Sequence, residues 1–235
     1  MTIRKERDTI GFLHTPSTVG GGGGVYMPHN YDNEDWKNVI DKRAGITIET
    51  VMDILLVHGQ MKPAALLSVA AYLPKSEIRH PDEPHTFYPM DPEIPLRFEA
   101  FLDKYGIHWL KKEADSDDHR RTRRHPDGWI VYERQRFDYR IGHDANSLMD
   151  IVSATTDQEY GSALGFPTDA VAEFPPAIYG DDSWRTGEDW EVYVRWTPAA
   201  DITSSRALAT RWMLYIRENH PNLAIELETN RDEWS

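Results

Sequence analysis

The sequence predicts an α+β domain on three grounds. Apolar residues recur at helical spacing between Ile48 and Tyr105, switch to two-residue alternation between Ile107 and Gly142, and close in a strand, helix, strand pattern ending at Leu227. A mixed α/β arrangement is the alternative, because a strand, helix, strand unit builds parallel pairs through a right-handed crossover. In this pattern an N-terminal helical hairpin is followed by an antiparallel strand pair and then by the C-terminal strand-helix-strand unit.

Residues 1–35 join a charged start to five consecutive glycines, Gly20–Gly24, and then to Pro28, Asn30, Asp32 and Asn33. A glycine run is entropically costly to order, so this stretch is expected to be a flexible tail, with a single globular domain over 36–235 opening at Trp36. A phosphate cradle would need a preceding strand, a following helix and usually a Lys-Ser/Thr pair, and the sequence offers none of these there. Thr47 is placed as an N-cap before Ile48, Val51, Met52, Leu55 and Leu56, a helical stripe that Gly59 ends. Pro63 in a first turn, with Leu66, Leu67, Val69, Ala70 and Leu73 behind it and Pro74 after, predicts the second helix of the hairpin. Prolines 81, 84, 89, 92 and 95 then impose an extended connector. A short helix from Leu96 to Tyr105 closes at Gly106.

Ile107, Trp109 and Lys111 share one face of a first strand, and a polar loop containing Arg120–Arg124 leads to a second strand over 128–142. That strand carries Trp129, Val131, Phe137 and Tyr139 on one face and Ile130, Tyr132, Arg134, Arg136, Asp138 and Arg140 on the other. Helices are expected near Ala145–Ala154, with Asp144 as N-cap, from Thr156 to Leu164, opened by a capping box with Glu159, and briefly from Thr168 after Pro167. Trp190, Val192, Val194 and Trp196 alternate as a strand. Thr203 caps a helix with Leu208, Trp212, Tyr215 and Ile216 in its stripe; His220-Pro221 stops it, and Leu223, Ile225 and Leu227 alternate as a last strand.

The chain has 235 residues, no cysteine, and 26 basic against 39 acidic groups, a formal charge of −13. Absence of cysteine removes disulfides, thiolate metal sites, iron–sulfur clusters and thiol nucleophiles. No window of roughly 18 apolar residues is present, nor a secretory h-region, so a soluble cytoplasmic protein without membrane contact is expected. Aspartate exceeds glutamate and arginine exceeds lysine, a composition like that of halophilic archaea, in which high negative charge keeps surfaces hydrated in salt; a virus or plasmid of such a host would share it. Residues 144–235 carry 17 acidic and 6 basic groups, whereas residues 1–143 are close to neutral. This balance disfavours duplex DNA as a partner.

Three groups could carry chemistry. Arg134, Arg136 and Arg140, at alternate positions on one strand face, can converge on an anion bidentately, although the many carboxylates offer them ordinary partners. His143 and Asp144 form a dipeptide resembling that of helical metal-dependent phosphohydrolases, which keep it inside a helix; here capping by Asp144 is the simpler account. His80, Asp82 and His85 have ligand chemistry but lie on the proline-rich connector, a poor place to fix a metal, so no metal is assigned. No nucleophile elbow, Walker loop, dinucleotide fingerprint or zinc-protease helix occurs, and the sequence leaves any cofactor unknown.

Gly165, Phe166, Pro167 and Val171, followed by Pro198, resemble a poorly characterised prokaryotic family, well represented in archaea, with a G-Y-P-x-C-C-V motif and then P-C-x-x-x-C. Asp169 and Ala170 stand in the places of the paired cysteines, and Ala199 and Thr203 in those of the second motif. The resemblance covers roughly 50 residues and implies a helix break at Gly-Phe-Pro and a strand-to-helix turn capped by Thr203 to Ser205; any metal or redox work of the cysteines would be lost here. The expectation for function is a binding or accessory protein whose ligand is a protein or a small anion. The alternative is an enzyme for a phosphorylated or nucleotide-like substrate, with the arginine face as clamp and His143 as acid or base.

Overall fold

A computed structural model describes residues 12–14, 34–42, 44–71, 87–88, 91–113, 120–125, 128–133, 135–174 and 184–229. Helix α1 (Ile48–His58) is central: Ile48 through Val57 are all buried, as befits a helix apolar around most of its circumference. The Thr47 backbone is extended and its N–H donates to Thr50 Oγ1 at 3.2 Å, a cap that fixes where the helix begins.

Against α1 lies an antiparallel sheet of β1 (Phe12–His14), β2 (Ala64–Ala71), β4 (His108–Glu113) and β7 (Gln135–Gly142), in the order β1-β4-β7-β2. Leu67, Val69, Trp109, Tyr139 and Ile141 share a core with α1 and with α2 (Glu93–Lys104). The opposite face carries a smaller cluster in which Ala64 and Leu110 meet Leu148 and Ile151 of α3 (Ala145–Ser153) and Leu164 after α4 (Asp157–Ala163). Helices α6 (Thr203–Asn219) and α7 (Pro221–Thr229) complete the main core through Trp212, Ile216, Leu223 and Leu227. A second sheet joins β3 (Phe87–Tyr88), β5 (Arg120–His125) and β6 (Gly128–Glu133) in the order β3-β6-β5.

The α+β class holds, with Asp144 capping α3 and the Thr156–Glu159 box opening α4. Gly165, in the left-handed region at φ +74°, ends the turn after α4, and Pro167 precedes α5 (Thr168–Glu173), so the Gly-Phe-Pro helix break is present. Several details of the expected arrangement are corrected. The stretch after Pro63 is strand β2, not a helix, and it forms no helical hairpin with α1; it is apolar on both sides because Ala65, Leu67, Val69 and Ala71 pack in the main core and Ala64 packs with α3, while Leu66 is left exposed. The single strand expected over 128–142 is two, β6 and β7, in different sheets. Arg120–Arg124 lie in β5 rather than in a loop.

The C-terminal strand-helix-strand unit is all helical. Asp189–Tyr193 is a 3-10 helix, because the buried Glu191 carboxylate accepts from Thr186 N at 2.6 Å, Gly187 N at 3.1 Å and Glu188 N at 3.2 Å, which requires a tight turn. Pro221 opens α7, where Leu223 and Leu227 bury at i, i+4 spacing while Ile225 is left 62% exposed. Thr203 begins α6 but does not cap it; Asp201 Oδ1 accepts from Thr203 N at 3.0 Å in that role. Around the boundary set at Trp36, a 3-10 helix runs over Glu34–Asn38, and β1 pairs with β4 from within residues 1–35, most of which lie outside the described residues.

Candidate anion-binding cleft

Among the described residues strand β2 is the last in its sheet, and a cleft of about 460 Å3 runs along it where the first turn of α1 approaches. Ala44, Gly45, Thr47, Thr50 and Asp53 form one wall; Leu66, Leu67, Ser68 and Ala70 form the other; Lys42, Arg136 and Arg195 complete the lining. The loop before α1 is tied by an Asp41–Ile46 bridge and sits close on β2: Gly45 has φ +78°, and a Cβ there would stand 3.1 Å from the Ser68 carbonyl oxygen. Glycine therefore satisfies both the backbone sign and the close approach.

Three cations face one carboxylate in this lining, in a chain whose net charge is −13. The carboxylate, Asp53, is 5% exposed and is met from inside the core by Lys62 Nζ at 2.7 Å, with Arg195 Nε at 3.6 Å on the cleft side. Lys62 is itself 2% exposed and lies between the rings of Phe166 and Trp212, 5.7 and 5.5 Å from their centroids. Burial pulls its pKa below the ordinary ammonium value, against the opposing pull of the Asp53 charge and hydrogen bond. Counted over the lining residues alone, three cations stand against the one carboxylate of Asp53, which Lys62 approaches from the core and Arg195 from the cleft. Arg136 Nε donates to Asp138 Oδ1 at 3.1 Å, but both side chains are 44% exposed, and such a pair is weak enough to exchange for a ligand.

Of the anticipated arginine face, only Arg136 lines the cleft. Arg140 donates to Tyr160 Oη at 3.3 Å, toward α4, and Arg134 lies outside the described residues. His143 and Asp144 join β7 to α3 and do not line the cleft. His143 Nδ1 is 3.1 Å from the Pro63 carbonyl and 3.0 Å from Ser147 Oγ, while Nε2 is 3.3 Å from Asp144 Oδ2. Asp144 Oδ1 accepts from Ser147 N at 2.7 Å, and that bond holds its carboxyl below the usual carboxylate range. His80, Asp82 and His85 lie outside the described residues, and among the described residues no group of three His, Asp or Glu side chains is placed to hold a metal. No helix among them is long and apolar enough to cross a membrane. A shallower depression between α3 and α4 is lined by Asp150 and Glu159 and by no cation.

Lys42, Ser68, Arg195 and the Asp53–Lys62 pair were not singled out by sequence reasoning. One signal was available for the pair: Asp53 and Lys62 are, with Glu49, the three Asp, Glu, Lys or Arg residues in the largely apolar stretch from Ile46 to Ala71, and a charge buried in such a stretch needs an opposite one beside it. No protein-family model, no curated protein and no solved structure matches this chain. Fold and site together describe an α+β protein with a cationic cleft beside a sheet edge.

Proposed function

We propose that this chain is a binding protein whose ligand presents an anionic group to the cleft formed by Lys42, Arg136, Arg195 and the first turn of α1. The observation that carries this is the reversal of charge: three cations against one internally matched carboxylate, on a molecule of net charge −13. Guanidinium groups suit carboxylate and phosphate oxygens, and the N-terminal turn of α1 adds a favourable dipole. For an enzyme acting on a phosphorylated or nucleotide-like substrate, the anticipated acid or base, His143, does not line the cleft, and Arg140 is engaged by Tyr160. The acidic composition supports a cytoplasmic setting in a halophilic archaeon or in a virus or plasmid of such a host.

Amide chemical shifts followed during titration with inorganic phosphate and with glutarate test the proposal. Shifts concentrated at residues 42–50, 66–70 and 136 are expected, with Arg195→Ala weakening the interaction by roughly tenfold, the worth of one charge-assisted contact. Shifts spread evenly over the surface, or an affinity indifferent to Arg195→Ala, would refute it.

A further inference from the structure

We infer that the anionic group arrives on an extended acidic peptide, which the cleft holds by adding it as a strand to the outer edge of β2. This rests on the anion-binding role proposed above and names the class of ligand.

The backbone of β2 sets the geometry. Opposite β7 the register runs from Ala64↔Gly142 to Ala71↔Gln135, and His143 N donates to Pro63 O at 3.1 Å, so the odd-numbered residues of β2 direct their N–H and C=O groups inward to β7. The even-numbered residues direct theirs outward. Ala70 confirms this alternation by donating its N–H to Ala44 O at 2.8 Å, on the side away from β7. Leu66 N–H, Leu66 C=O and Ser68 N–H are then left at the sheet edge with no backbone partner among the described residues. An edge of that kind is a template for another strand.

Three features say what the added strand would be. The Ala44 contact closes the edge at Ala70, so an incoming strand pairs at Leu66 and Ser68 and extends from there toward Ala64, away from the closed end. Leu66 is 45% exposed, giving an apolar contact for a side chain on that face. Arg136 stands opposite Ala70 on β7 yet lines the cleft, reaching over a small side chain to the position an alternate residue of the added strand would occupy, with Lys42 and Arg195 on the far wall. Main-chain bonds supply affinity and the cationic lining selects an acidic side chain, the division of labour in strand addition. A peptide of about four residues, at roughly 3.3 Å per residue, spans the two pairing positions.

The experiment uses a fluorescein-labelled peptide, Glu-Val-Asp-Val-Glu, and two forms of it N-methylated at one or the other alternate set of amides, titrated into the full chain by fluorescence anisotropy. Saturable binding of the parent is expected, with one methylated set weakened at least tenfold and the other unchanged, since only one set faces β2. Ser68→Pro, which removes an outward N–H and leaves the inward ladder intact, should weaken the parent peptide by a similar factor with an unaltered circular dichroism spectrum. If both methylated forms bind as the parent does and phosphate competes with all three, the anion site stands and strand addition is wrong. If neither the peptide nor phosphate binds, both ideas fall. A dimer in sedimentation equilibrium that Ser68→Pro dissociates would overturn the inference in favour of pairing between two copies.

Discussion

Lys62 and Asp53 are each almost fully buried and 2.7 Å apart, so each is the condition for the other. Removing one leaves a charge with too little water, a loss of about 3 to 5 kcal/mol for a buried pair, whereas replacing both with apolar groups of similar volume is often close to neutral. Urea denaturation should therefore show Lys62→Met strongly destabilised and Lys62→Met/Asp53→Leu largely recovered; a double variant as weak as the single one would show that the pair acts through more than charge matching. His220 provides a second test, through pH. It is 5% exposed, and burial, followed by repulsion from the His58 charge, lowers its pKa from 6.5 to about 4. The folded state binds this proton less readily than the unfolded chain, so the stability it contributes is complete above about pH 6.5 and is lost as pH falls toward 4. The loss is on the order of 3 kcal/mol, and His220→Phe should flatten the stability profile between those limits. A slope unchanged by the substitution would place the acid sensitivity elsewhere.

Helix α1 is the element on which the others depend. Leu55 is 0% exposed among residues of the sheet and of α6, and Leu55→Ala should cost about 2 to 5 kcal/mol, read as a lowered denaturant midpoint with an unchanged slope. A midpoint within error of the parent protein would mean that the site collapses freely around the missing atoms. Elements announced by local chemistry were legible in the sequence: Thr47 before α1, Asp144 before α3, the Thr156–Glu159 box before α4, and Gly106 after α2. Those decided by a distant partner were not. β2 has the composition of a helix or of a buried strand, and only β7, beginning at Gln135, makes it a strand. Leu223, Ile225 and Leu227 fit both periods; Pro221 and the docking of Leu223, Ala224 and Leu227 on the core favour the helix. The site followed the same rule. Arg136 was visible because strand alternation is local, whereas Lys42 and Arg195 reach the same cleft from opposite sides of the chain, and no spacing records that meeting.

At the scale of the whole molecule, the acidity divides the chain, with residues 144–235 carrying 17 acidic against 6 basic groups. Their mutual repulsion acts over the roughly 10 Å screening length at 0.1 M salt and is cut back when that length falls to about 3 Å at 1 M. Exposed pairs such as Arg206 with Glu188 and Arg217 with Asp189 are worth about 0 to 1 kcal/mol each, so their weakening does not outweigh the relief. The unfolding temperature should therefore rise between 0.05 and 3 M KCl, and a flat or falling curve would remove the case for a salt-adapted surface. The separation of β2 from β7 has a consequence in time as well as in space. A ribosome releases the chain from its N-terminus at about 5 to 20 residues per second, so Ala64–Ala71 emerges roughly 3 to 13 s before Gln135 and its neighbours can pair with it. Throughout that interval the nascent polypeptide displays an apolar segment with both edges open, the kind of surface that chaperones shield and that otherwise aggregates with other nascent chains.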